Sequence, residues 1–141
     1  MSEVIDLCTD ARYEAIELFF TEDGEMNMAM SDDELRQVAA RFKEAGIEVS
    51  SLLGWYKDRG TFLTENAEER AKSRRSLERV IAIAGTMGVD AVLLHPGAMD
   101  PNSSYVKVWQ IVVSEMREMA EQAAARGVKI GIENVWNRFM L

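Results

Sequence analysis

Val128-Lys129-Ile130-Gly131-Ile132-Glu133-Asn134-Val135-Trp136-Asn137 is the stretch that decides the fold. It begins as a short apolar strand and ends in an acid and an amide, then an aromatic residue and a second amide. Gly127, just before it, is where a long helix must stop. A carboxylate at the exit of a strand that follows a helix is where a β/α barrel keeps its chemistry. A solvated Glu at a strand exit is the plainer alternative, and the residues alone leave both open.

The same junction recurs upstream. Glu44-Ala45-Gly46-Ile47 and Thr86-Met87-Gly88-Val89 match Ala125-Arg126-Gly127-Val128, each a glycine helix stop feeding directly into a strand. Strands are predicted over residues 13–20, 47–53, 89–95 and 128–133. Helices are predicted over 2–10, from the capping box at Ser31-Asp32-Asp33-Glu34 to Gly46, from about 67 to 88, and over 103–126. The order is α-β-α-β-α-β-α-β. Strand starts near 13, 47, 89 and 128 argue for parallel strands joined by right-handed crossovers. The third strand is apolar enough to be buried on both faces. Four such units make either a small open sandwich or half of an eight-stranded barrel, whose usual length is about 250 residues. Leu141 lies only eight residues past Glu133, and the chain opens on a helix. The expectation is therefore a single α/β domain over residues 1–141, a partial TIM barrel of parallel βα repeats with about four strands and four helices, cut at both ends.

Composition narrows the function. A net charge of −8 argues against nucleic acid or an anionic membrane as partner. The single Cys8 cannot form an internal disulfide, which fits a reducing cytoplasm. The first residues carry Glu3, Asp6 and Asp10 and do not read as a signal peptide. No apolar run is long enough to span a bilayer. There is no glycine-rich phosphate loop and no dinucleotide fingerprint.

The candidate chemistry sits at strand exits. His95, the sole histidine, closes the third strand in Leu93-Leu94-His95-Pro96-Gly97, where an imidazole can ligate a metal or move protons. Glu17 shares a strand face with Tyr13, Ala15 and Phe19, and an acid there needs a partner, either a base or a substrate. Trp55 and Trp136 lie in loops at the same end, as ring surfaces for a sugar or as loop packing. Arg59 and Arg138 lie at that end too, and Arg12 at the other; solvated charge is the default for each. His95 and Glu133 supply at most two ligands for a divalent ion, so a complete site cannot be drawn from them.

Ile130-Gly131-Ile132-Glu133-Asn134-Val135-Trp136-Asn137-Arg138-Phe139 resembles the fifth-strand segment of the sugar phosphate isomerase/epimerase superfamily, the xylose-isomerase-like TIM barrels. Tyr13-Glu14-Ala15-Ile16-Glu17-Leu18 resembles the second strand of that family, with Arg12 where glycine is usual. The resemblance implies a divalent metal (Mn, Mg, Co or Zn) at the barrel mouth with Glu133 as its first ligand and His95 near it. It further implies that Glu133 exchanges a proton beside the substrate carbonyl. His95, Trp136, Asn137 and Glu17 would contact a small sugar or sugar phosphate. The remaining Asp, His and Glu ligands of the family would lie beyond Leu141. Phe139 and Met140, where ketose 3-epimerases of free sugars carry a further acid, are closer to the sugar-phosphate branch. Leu94-His95-Pro96-Gly97 also resembles the endonuclease IV branch, in which the histidine binds zinc. Ser50-Ser51-Leu52-Leu53 lacks the histidine which that branch supplies at the preceding strand. A non-catalytic sugar-binding or structural βα domain is the remaining alternative. The 141-residue chain alone is expected to be inactive and to associate through its uncovered edge strands, in one form with a second copy completing a pseudo-barrel.

Overall fold

A computed structural model describes residues 1–55, 57–135 and 139. Eight elements alternate along it: α1 (Ser2–Asp10), β1 (Ala15–Phe20), α2 (Asp32–Glu44), β2 (Glu48–Gly54), α3 (Ala67–Met87), β3 (Ala91–Leu94), α4 (Tyr105–Ala124) and β4 (Lys129–Ile132). The four strands form one sheet in the order β1-β2-β3-β4, every pair parallel. Sheet order that follows chain order, with crossovers of one hand, puts all the helices on one face. That excludes the open two-sided sandwich and leaves a segment of a TIM barrel.

The burial of alternate residues shows the same asymmetry. Leu18, Phe20, Leu52, Val92 and Leu94 are buried, and they pack with Leu35, Val38 and Phe42 of α2 and Leu77, Val80, Ile81 and Ala84 of α3. The opposite face is bare: Glu17 and Phe19 are exposed, and Ser51, Leu53, Ala91 and Leu93 are partly so. The third strand is thus covered by helices on one face, and its other face, with Ala91 and Leu93, is the one that lines the interior in a barrel of this kind. Leu18, expected to lie uncovered at an edge, is 1% exposed, since the chain's own helices cover it. Ile132 at the other edge is 40% exposed.

All four helices end alike. In each, the residue in the left-handed region donates its N–H to the carbonyl three before it, and the next residue reaches the carbonyl five before it. Gly46, Gly88 and Gly127 hold φ of +72°, +74° and +71°, where glycine is unstrained. The fourth end is Arg12, at φ +59° the one described non-glycine residue with positive φ. Its N–H bonds Thr9 O and the Tyr13 N–H bonds Cys8 O. The geometry usual for glycine is therefore kept despite the side chain. The capping box forms as read: the Glu34 N–H donates to Ser31 Oγ, and the Ser31 N–H donates to Glu34 Oε2 at 2.8 Å.

Candidate active site at the strand exits

The bare face ends in a ring of polar and aromatic groups supplied by the strand exits. Two backbone bonds carry the ladder past the strands proper. The Trp55 N–H donates to Phe20 O at 2.8 Å, and the Glu133 N–H to Leu94 O at 2.9 Å. The two-residue period therefore continues, and brings Trp55, His95 and Glu133 to the same face as Leu53, Leu93 and Gly131.

The loops after β2 and β3 hold this end rigid. The Phe62 N–H donates to Pro96 O and the Asp100 N–H to Leu63 O. The Thr61 hydroxyl donates to Ala98 O, and buried Thr64 donates to Asp100 Oδ2 at 2.9 Å. Asp100 also accepts from the Asn102 N–H and the Ser103 hydroxyl, and these bonds hold its carboxyl below the usual carboxylate range. Gly97 sits at φ +98° with Thr61 so close that a β-carbon would collide with its hydroxyl. Only glycine lets the two loops meet there.

His95 is fixed from two sides. Its Nδ1 accepts the Gly97 N–H at 3.1 Å, and an Arg59 guanidinium nitrogen lies 3.4 Å from the same atom. An accepting Nδ1 leaves the ring proton on Nε2. The Trp55 ring meets the imidazole edge-on, with centroids 6.4 Å apart, and Arg59 stacks on Trp55 at 3.4 Å. Burial lowers the Arg59 pKa from its ordinary value, though a guanidinium stays charged. Arg59 is thus stacked and partly buried where solvated charge was the default, and Trp55 packs between it and His95.

Glu133 is half-buried, and no side chain among the described residues bonds its carboxylate. Glu17 is elsewhere. It pairs with Ser51 while Leu53 pairs with Leu93, so Glu17 lies four residues further down the ladder than His95. At about 3.3 Å per residue that is roughly 13 Å. β1 runs on through Phe20, so Glu17 sits in mid-strand instead of closing it. Among the described residues its partner is the Ser51 hydroxyl, which donates to it at 2.5 Å beside a bulge in which Ser50 is the extra residue. Trp136, Asn137 and Arg138 lie outside the described residues.

The metal expectation fits this arrangement in part. Glu133 offers an unpaired carboxylate suited to a hard or borderline divalent ion. His95 does not offer a lone pair at Nε2 while its Nδ1 accepts from Gly97. Among the described residues, no group of three or more His, Cys, Asp or Glu could hold an ion.

A family model described as xylose isomerase-like TIM barrel matches residues 5–141. The chain belongs to that family. Its fold is similar to a putative xylose isomerase from Rhodospirillum rubrum, with a TM-score of 0.77 and 20% identity over 94% of this chain and 48% of that one. It is also similar to a D-psicose 3-epimerase crystallised with D-fructose, with a TM-score of 0.76 and 19% identity over 97% and 47%. IolI, solved with a bound zinc atom, gives 0.72 and 21% identity over 94% and 45%. The chain spans about half the length of these structures. No curated protein sequence matches it. No helix among the described residues is long and apolar enough to cross a membrane.

Proposed function

We propose that these residues form the first part of a metal-dependent sugar or sugar-phosphate isomerase/epimerase, with Glu133 as the carboxylate that moves a proton beside the substrate carbonyl. The observation that carries this reading is the position of Glu133: half-buried, unpaired among the described residues, on the interior face at a strand exit. A carboxylate so placed can reach a carbon acid from one side of a bound sugar. A divalent ion held there would polarise the substrate carbonyl. His95 is proposed as a substrate contact at the same mouth, since Nδ1 accepting from the Gly97 N–H suits that role better than a metal ligand. Trp55, braced by Arg59, offers the edge of an apolar wall. Trp136 and Asn137 remain candidates for substrate contact. Glu17, bonded to Ser51, is assigned to the deep interior of the barrel.

Deuterium uptake from solvent at the carbon next to the carbonyl tests this reading. Ketohexoses and their phosphates would be incubated with the complete barrel and a divalent metal salt. Glu133→Gln keeps the shape and should slow uptake by about a hundredfold or more. Wild-type uptake in the variant would remove Glu133 from the chemistry. Sugar binding with no uptake in the wild type would instead support a non-catalytic sugar-binding domain.

A further inference from the structure

The cations around the loop after β2 are not alike. Lys57 Nζ pairs with Asp23, and Lys72 Nζ pairs with both Asp58 and Glu69. Arg59 lies within ion-pair distance of no acid among the described residues, in a chain of 24 acidic and 16 basic side chains. It is held in place by other means. The Ser73 hydroxyl of α3 donates to Arg59 O at 2.7 Å. Gly60, at φ +63°, lets the loop lie so close to α3 that a β-carbon would collide with the Glu69 carbonyl. The side chain is fixed as well, stacked 3.4 Å from the Trp55 ring centroid with one nitrogen 3.4 Å from His95 Nδ1. A guanidinium carries five N–H donors around its edge, and stacking occupies only a face. Donors beyond the one facing His95 make no side-chain bond among the described residues.

These parts follow β2 and β3, the two inner strands of the sheet, each paired on both sides. Leu53 pairs with Leu93, and Leu94 with Ile132. Trp55, His95 and Glu133 therefore stand at one level on three successive strands. Neighbouring strands lie about 4.8 Å apart, so roughly 10 Å separates the Trp55 and Glu133 backbones, with His95 between them. Against a net charge of −8, an anionic ligand gains nothing from the chain as a whole, and its recognition falls to a fixed local cation. We propose that Arg59 binds an oxyanion carried by the sugar, a phosphate or a carboxylate, on the side of His95 away from Glu133. A sugar with its carbonyl end at Glu133 and its charged end at Arg59 spans the two strand intervals, with an apolar face toward Trp55. The planar fork of arginine suits either oxyanion, through two parallel N–H···O bonds. The proposal rests on the enzymatic reading for the orientation of the sugar, and adds which sugars the site prefers.

Isothermal titration calorimetry of the complete barrel, with a divalent metal salt present, tests it with three ligands. They are D-fructose, the same sugar phosphorylated at its terminal carbon, and the same sugar oxidised there to a carboxylate. The wild type should bind at least one of the anions about thirtyfold more tightly than D-fructose. The tighter of the two identifies the group. Arg59→Gln should erase this margin. Arg59→Lys should keep part of it, because a point charge survives where the planar fork is lost. Added salt should narrow the wild-type margin. Circular dichroism checks that each variant is folded, and if Arg59→Gln is not, Arg59→Lys and the salt series carry the test. An equal loss of affinity for all three sugars would make Arg59 only a brace for Trp55 and His95 and overturn the proposal. A wild type with no preference for either anion would overturn it too. Deuterium uptake, measured alongside, separates the two readings. An Arg59-dependent margin without uptake would keep the oxyanion site and remove the reaction, and uptake without that margin would do the reverse.

Discussion

Arg12 occupies the left-handed position that glycine fills at the other three helix ends, at φ +59°. A side chain there costs about 1 kcal/mol relative to glycine. Arg12 is exposed and bonds through its backbone, so Arg12→Gly should raise the free energy of unfolding by about that amount in urea titration. A loss of stability would show that the guanidinium does something the backbone does not. The three glycine stops were legible because glycine is the usual residue at that position. The fourth was not, because arginine says nothing about φ. Glu17 was misplaced for a similar reason. Nothing in the sequence marks Ser50 as a bulge, or fixes how far down the ladder Glu17 pairs with β2. Exits at His95 and Glu133 were legible because Pro96 and Asn134 follow directly on apolar runs. The Trp55–Arg59–His95 cluster was hidden because it joins two loops that are distant in sequence.

At the level of elements, the joint between the loops after β2 and β3 is acid-sensitive. Asp100 has its folded pKa depressed by the Asn102 N–H and the Ser103 and Thr64 hydroxyls. Its contribution is therefore complete above the unfolded carboxylate value of about 4 and fades as pH falls through the lower folded value. The urea midpoint of the wild type should drop on acidification across this range. Asp100→Asn should be less stable at neutral pH and should lose part of that dependence. Equal slopes in the two proteins would place the acid sensitivity elsewhere. The α3–α4 joint rests on Arg70 Nε, which donates to Glu115 at 2.8 Å, with side chains 15% and 16% exposed, while Arg70 also donates to Thr64 O. Glu115→Ala should cost about 2 kcal/mol by thermal or urea unfolding. Glu118, 56% exposed beside Arg74, should cost about 0.5 kcal/mol or less when replaced by alanine. Equal costs would mean that burial does not set the strength of these pairs.

For the whole molecule, a partial barrel was readable from the repeated helix-stop-strand junctions. Its one-sidedness was not, since apolar runs in β3 look the same whether one face or both are covered. The net charge of −8 should keep the chain from binding duplex DNA at physiological salt. Retention on a DNA column under those conditions would revive the endonuclease-like alternative. On the enzymatic reading, the 141-residue chain alone should show no sugar turnover with added Mn, Mg, Co or Zn, because the described residues assemble no three-ligand site. Turnover by the isolated chain would mean that residues not assigned here complete the site.

Each strand pairs with the one synthesised just before it. As the polypeptide leaves the ribosome, every new βα unit therefore meets its neighbour already in place and need not wait for a distant partner. Assembly can run from the first unit toward the last, with short loop closures at every stage. Unlike a sheet that interleaves its strands, this one can be lengthened a unit at a time without unpicking what has already folded.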